Sequence, residues 1–263
     1  MTLVSPRPRP PGTARTAGRL AVESFDSRAE MGNAAAAAVA DAMHARLRTQ
    51  KQVRMIFAAA PSQAEMLDAL CREPGIDWSR VTAFHMDEYI GLRPEAPERF
   101  AIWLDRHVFD RVPFGEVHRI VPEPDADLAA RAYATELAAA PIDIVCLGIG
   151  INGHIAFNDP PVADFADPLD VKVVPLDEIC RRQQVDDDCF ARLDDVPHTA
   201  LTLTVPRLLR AGQLFCVAPG AAKRDAVRRT LYGPLSTECP ASILREANCT
   251  LYLDRESDPD VQD

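Results

Sequence analysis

The segment Ile142–Leu147 (IDIVCL) constrains the fold of this chain most. It is apolar apart from Asp143 and is followed at once by Gly148-Ile149-Gly150. The run is too short for a core helix and too apolar for a half-exposed strand. A strand of this kind is buried on both faces, as happens in a parallel sheet covered by helices on each side.

The neighbouring sequence repeats the theme. Ser27 can cap a helix from about Arg28 to Gln50, with the Ala-rich Asn33–Ala40 near its centre. Val53–Ala59 reads as a strand, followed by a helix opened by Pro61-Ser62 and continuing to about Arg72. Val81–Met86 reads as a strand, and Glu98–Phe109 as a helix with Phe100, Leu104 and Val108 on one face. Val117–Val121 is a short strand and Asp127–Ala139 a helix. Beyond IDIVCL, strands are expected at Val171–Val174, Ala200–Val205, Leu214–Val217 and Thr250–Leu253, with helices at Ile179–Phe190 and Ala221–Leu231. This alternation predicts an α/β fold with a mainly parallel sheet. No Gly/Ser linker interrupts it, so residues 22–255 are read as one domain. Residues 1–21, rich in Arg and Pro and lacking the apolar stretch of a secretory signal, read as a disordered tail. Residues 256–263 read as a flexible C-terminal tail.

Composition narrows the function classes. The 263 residues carry 29 Lys+Arg against 39 Asp+Glu, a formal charge of −10. That sign excludes a general nucleic-acid binder, which holds phosphates with clustered cations. A small anion needs only one or two placed cations or a helix N-terminus. No apolar run approaches the roughly 18 residues of a membrane span. The seven cysteines are scattered, odd in number and without a CxxC pair, which fits buried thiols in a reducing cytoplasm.

In open α/β sheets ligands bind at the C-terminal ends of strands, and four polar clusters fall there. In FHMDEYIGL, Phe84–Leu92, a strand ends and presents His85, Asp87, Glu88 and Tyr89. This is either an ordinary strand-end turn or a rim that offers Asp87 as a proton carrier. His85-x-Asp87 supplies only half a metal site. In IDIVCLGIGINGHIAFNDPP, Gly148-x-Gly150-x-x-Gly153 formally matches the dinucleotide fingerprint. Pro160-Pro161 leave barely a turn of the helix that the fingerprint requires. What remains is a glycine-rich turn presenting Asn152, His154 and Asp159. These residues form either an acid/base histidine oriented by a carboxylate or a capped turn with a structural histidine. At Ala59-Ala60-Pro61-Ser62-Gln63 a helix start can hold an anion or simply be capped by Ser62. Lys223, in Pro219-Gly220-Ala221-Ala222-Lys223, opposes the helix dipole in the first turn. A bound anion offsets that cost; otherwise the lysine is simply solvated.

Together, MDEYIGL, GIGINGHIAFNDP and PGAAK resemble the glucosamine-6-phosphate deaminase/isomerase family, whose relatives include the 6-phosphogluconolactonases. The resemblance runs from about Ser27 to Leu253, and MDEY-x-GL and GHIAFN-x-P match the deaminase branch, where a lactonase shows DER and GHTAS. It implies a Rossmann-like three-layer α/β/α sandwich acting on a small-molecule sugar phosphate, with no cofactor, metal, nucleic acid or membrane partner. A homo-oligomer is left open. By resemblance, Asp87 is the base that moves a proton between C2 and C1, His154 opens the pyranose ring, and Asp159 stands in place of a supporting glutamate. Asn152 stands where the family usually has an aspartate. Gly148 matches a backbone substrate contact and Lys223 the phosphate-binding lysine. Ser62 and Gln63 lie in the phosphate loop, whose family form TGxTP is replaced here by Ala59–Gln63. Arg182 is the stand-in for the family's phosphate-binding arginine. The implied reaction converts glucosamine 6-phosphate, or a related sugar phosphate, to a ketose phosphate plus ammonia. The altered loop and Asn152 also suit a sugar-phosphate sensor without efficient turnover, and lactone hydrolysis is a third use of the same scaffold.

Overall fold

A computed structural model describes residues 12–261. Its centre is an eight-stranded sheet in the order β1-β2-β11-β10-β7-β3-β4-β6. These strands are β1 (Thr13–Ala17), β2 (Leu20–Phe25), β3 (Val53–Phe57), β4 (Val81–His85), β6 (Glu116–Val117), β7 (Ile144–Leu147), β10 (Gln213–Val217) and β11 (Cys249–Asp254). Every pairing is parallel except β1 with β2. The expected mainly parallel α/β sheet is therefore present.

Burial on both faces follows from the alternation of side chains. Met55, Phe57, Ile144, Cys146, Phe215 and Val217 face one apolar cluster with helices α1 (Arg28–Leu47) and α2 (Ala64–Cys71). Ile56, Val145, Leu147, Leu214 and Cys216 face a second with α4 (Ala126–Ala138), α6 (Val205–Leu209) and α7 (Arg224–Tyr232). This gives three layers. Ser27 caps α1, its side chain accepting the Glu30 N–H at 3.2 Å. The small residues of α1 let it lie close to α2: a Cβ on Gly32 would come within 2.7 Å of the Glu65 Cβ. No helix among the described residues is long and apolar enough to cross a membrane.

Three expectations need correction. The strands read at Val171–Val174 and Ala200–Val205 do not join the main sheet. As β8 (Val171–Pro175) and β9 (Thr199–Leu203) they form a separate antiparallel sheet with β5 (Asp87–Tyr89), in the order β5-β9-β8. The alternating exposure of β8 suits a sheet with one wet face. The disordered tail expected over 1–21 does not hold for residues 13–21, because Thr13–Ala17 pair with Leu20–Ser24 across a turn with Gly18 at φ +60°; residues 1–11 lie outside the described residues. The flexible tail expected over 256–263 is anchored at its start. Ser257 and Asp258 are buried, and Asp258 accepts from both terminal nitrogens of Arg15 at 2.9 and 2.6 Å. The two supposed tails thus hold one another in place.

Candidate active site

A cleft with about 540 Å³ of empty space opens at the C-terminal ends of β3, β4, β7 and β10. Its walls include Ser62, Gln63, Asp87, Gly148, Gly150, His154, Gln183, Gln184, Asp187 and Lys223. Residues from four distant stretches of sequence therefore meet over one space.

Asp87 reaches the rim because β4 ends at His85 and the chain switches to the small sheet one residue later, where Asp87 pairs with Thr202. His85 secures this switch. Its Nδ1 lies 2.9 Å from the Asp87 carbonyl, and its Nε2 accepts the Ile120 N–H at 2.8 Å. Burial pushes its pKa down to about 3, so it is neutral with both ring nitrogens committed, and it is not available to a metal. Glu88 is likewise an anchor: its carboxylate accepts the backbone N–H groups of Tyr89, Phe100 and Ala101 at 2.9, 3.1 and 3.0 Å. It thereby caps the short helix α3 (Phe100–Leu104), with Arg99 Nε 3.7 Å away. Burial raises it to about 7 against those bonds. Asp87 itself is pushed well above the usual carboxylate range by burial, then by the charges of Glu88 and Asp159.

Gly153, at φ +92°, closes the turn after β7. No helix follows before Pro161, so the dinucleotide fingerprint lacks the helix N-terminus it needs. The ring of His154 lies directly over Gly150, where a Cβ would come within 2.1 Å of its Cε1. Its Nδ1 stands 2.9 Å from Asp159 Oδ1, which also accepts from Asn152 Nδ2 at 2.9 Å. Asn152 Oδ1 in turn accepts the His154 N–H at 3.0 Å. Asn152 and Asp159 are buried behind the histidine, where they orient it. Burial pushes Asp159 upward, but the His154 charge and the bonds from His154 and Asn152 outweigh it and hold the carboxyl below its ordinary range. The shorter side chain of Asp159 thus still reaches the ring. Cys180 completes a group whose ligand atoms lie within 4.8 Å of one another. Burial, then the charges of Asp159 and Asp87, push its thiol well above the ordinary thiol range.

Lys223 ends a 3-10 turn, Ala221–Lys223, ahead of α7. Burial lowers its pKa, opposed first by Asp187. Across the cleft, Ser62 and Gln63 lie in a second 3-10 turn, Pro61–Gln63, and the buried Gln63 Oε1 has no partner among the described residues. A Cβ on Gly148 would meet Gln63 Nε2 at 2.8 Å, so a side chain there would displace the Gln63 amide.

Of the nine residues singled out from sequence, six line the cleft, Asn152 and Asp159 sit behind His154, and Arg182 stands apart. It sits on the exposed face of α5 (Glu178–Asp186), its Nε 3.0 Å from Glu178, and does not line the cleft. Its neighbours Gln183, Gln184 and Asp187, which sequence reasoning missed, do line it. Tyr89 Oη donates to Gln184 Oε1 at 2.8 Å, which turns the Gln184 amide nitrogen toward the cleft.

Comparison with known proteins follows this geometry. Over 190 residues the chain is 37% identical to a glucosamine-6-phosphate deaminase of Exiguobacterium sibiricum, covering 71% of this chain and 73% of that one. A Bacillus cereus protein of the same name is 36% identical over 71% and 70%. The solved structure of a monomeric glucosamine-6-phosphate deaminase superposes with a TM-score of 0.81 at 26% identity, covering 90% of this chain and 98% of that one. A Thermotoga maritima 6-phosphogluconolactonase shares the fold, with a TM-score of 0.72 at 16% identity over 89% and 99%. Residues 26–167 match the family described as glucosamine-6-phosphate isomerases/6-phosphogluconolactonase. The chain belongs to this family.

Proposed function

We propose that this protein is an amino-sugar phosphate deaminase/isomerase that converts glucosamine 6-phosphate, or a closely related sugar phosphate, with water to a ketose phosphate and ammonia. The observation that carries this reading is the convergence of Asp87, His154 and Lys223 on one cleft.

Roles follow from environment. With Nδ1 2.9 Å from Asp159 Oδ1, the Nε2 of His154 is the atom that exchanges a proton with the ring oxygen of a closed sugar. Asp87 takes the proton from C2 of the opened sugar and returns it to C1. The two aspartates are driven apart: Asp159 stays ionised as a partner for imidazolium, while Asp87 is shifted toward the pH at which it can both take and give a proton. The substrate's own ammonium supplies positive charge beside Asp87. Lys223, with Ser62 and the Gln63 amide, receives the anionic end. None of these steps draws on a cofactor.

A coupled assay following ketose phosphate and ammonia separately from glucosamine 6-phosphate decides the matter. Both products should appear in equal amounts, and Asp87→Asn should abolish them. Absence of turnover by the wild-type protein, or unchanged turnover by the variant, refutes the reading.

A further inference from the structure

Lys223 enters the cleft from a turn only three residues long. The residue before that turn, Gly220, stands at φ +89° and ψ 152°, a conformation essentially confined to glycine. A Cβ there would meet nothing within 4 Å, so backbone conformation, and not space, demands the glycine. The Gly220 carbonyl accepts the Lys223 N–H at 3.0 Å, which ties the lysine directly to it.

Gly220 is held in its turn by Asp254, at the end of β11. The Gly220 N–H lies 3.0 Å from each of the two carboxyl oxygens. Asp254 is buried, and its Oδ1 also accepts the Ser257 N–H at 2.9 Å. The far end of the turn is moored to the same segment. Arg224, next to Lys223, donates from Nε and Nη2 to the Asp258 carbonyl at 3.2 and 3.0 Å. Asp254, Ser257 and Asp258 all lie outside the cleft wall. We propose that Asp254 is a positioning residue: acting through Gly220, it holds Lys223 where the lysine receives the anionic end of the substrate. This rests on the sugar-phosphate reading of the cleft.

Both Asp254 oxygens face N–H groups, so the isosteric Asp254→Asn sets an amide NH2 against a donor. Gly220→Ala strains the same turn without a steric clash. In each variant, amide hydrogen exchange of the unliganded protein should quicken about tenfold at Lys223, the effect of one lost hydrogen bond. Exchange in Ile144–Leu147 of the central sheet should not change. Steady-state kinetics on glucosamine 6-phosphate should show KM raised about tenfold with a much smaller change in kcat. In a Lys223→Ala background, Asp254→Asn should raise KM no further, because the residue it positions is gone. Lys223 exchange as slow as in wild type overturns the proposal, as does quickening that extends equally to Ile144–Leu147. An unchanged KM overturns it too, as does an Asp254→Asn effect that persists in full without Lys223. Exchange needs no substrate, so absence of turnover by the wild-type protein counts against the proposed function and leaves Lys223 exchange to judge Asp254.

Discussion

Asp87→Asn should abolish turnover and yet make the fold more stable. The Asp87 side chain is buried, no protein donor for its carboxylate is found among the described residues, and Glu88 and Asp159 both act on it as like charges. The neutral amide is relieved of the desolvation and like-charge cost that the carboxylate bears at pH 7, on the scale of about 1–3 kcal/mol for a single substitution. For a chain of this size each kcal/mol moves the melting temperature by roughly 2–4 °C. The pH dependence identifies the cause. A carboxyl with a raised folded pKa binds its proton more tightly in the native state than in the unfolded one. Stability is therefore lost as pH climbs from the unfolded value, 3.8, through the folded one. The advantage of asparagine should be full above the folded pKa of Asp87 and should shrink steadily toward the unfolded value, vanishing only below it, where the aspartic acid is protonated in both states. Thermal melts of the two proteins across pH 4–8 measure it. A variant that melts lower than wild type at pH 7, or a gap that ignores pH, refutes the burial argument.

The centre of the main sheet was legible because β3, β4, β7, β10 and β11 each carry an apolar run, and IDIVCL alone implies helices on both faces; the edge strand Thr13–Ala17, polar and exposed, was not. Asp87, His154 and Lys223 were legible for a related reason: each follows an apolar strand, and strand ends in a parallel sheet converge. The second sheet was not, because Asp87–Tyr89 is only three residues long and its register with Thr202 is a long-range contact. Nor was the Arg15–Asp258 pair, which joins regions 243 positions apart. The Arg182 error has a geometric origin. Successive residues of a helix diverge by about 100°, so Gln183, Gln184 and Asp187 share one face while Arg182 turns with Glu178 to solvent. In a helix as polar as ICRRQQVDDD no hydrophobic stripe reveals which face is inward. The neighbouring Arg181 is buried but spent on the Leu193 and Val196 carbonyls.

Three further substitutions separate orientation, scaffolding and packing. Asp159→Asn removes the charge 2.9 Å from His154 and should lower kcat roughly 10–100-fold with little change in KM; steady-state kinetics showing a KM effect alone contradicts an orienting role. Glu88→Ala strands three buried N–H donors, while Arg99 keeps Glu123, and should cost about 3–5 kcal/mol in denaturant unfolding; a loss under about 0.5 kcal/mol, the scale of a surface change, contradicts its anchoring role. Gly150→Ala tests whether the histidine needs the place it occupies. The added methyl falls 2.1–2.3 Å from three ring atoms of His154, far inside contact distance, and Gly150 has no positive φ to relax. The ring is the movable partner, because the Gly150 N–H is tied to the His154 carbonyl at 2.9 Å. Pushed off the glycine, the imidazole leaves Asp159 and the cleft together. Turnover of the closed-ring sugar should then fall about as far as in His154→Ala, with the melting temperature little changed; retention of wild-type activity places the chemistry on some other group.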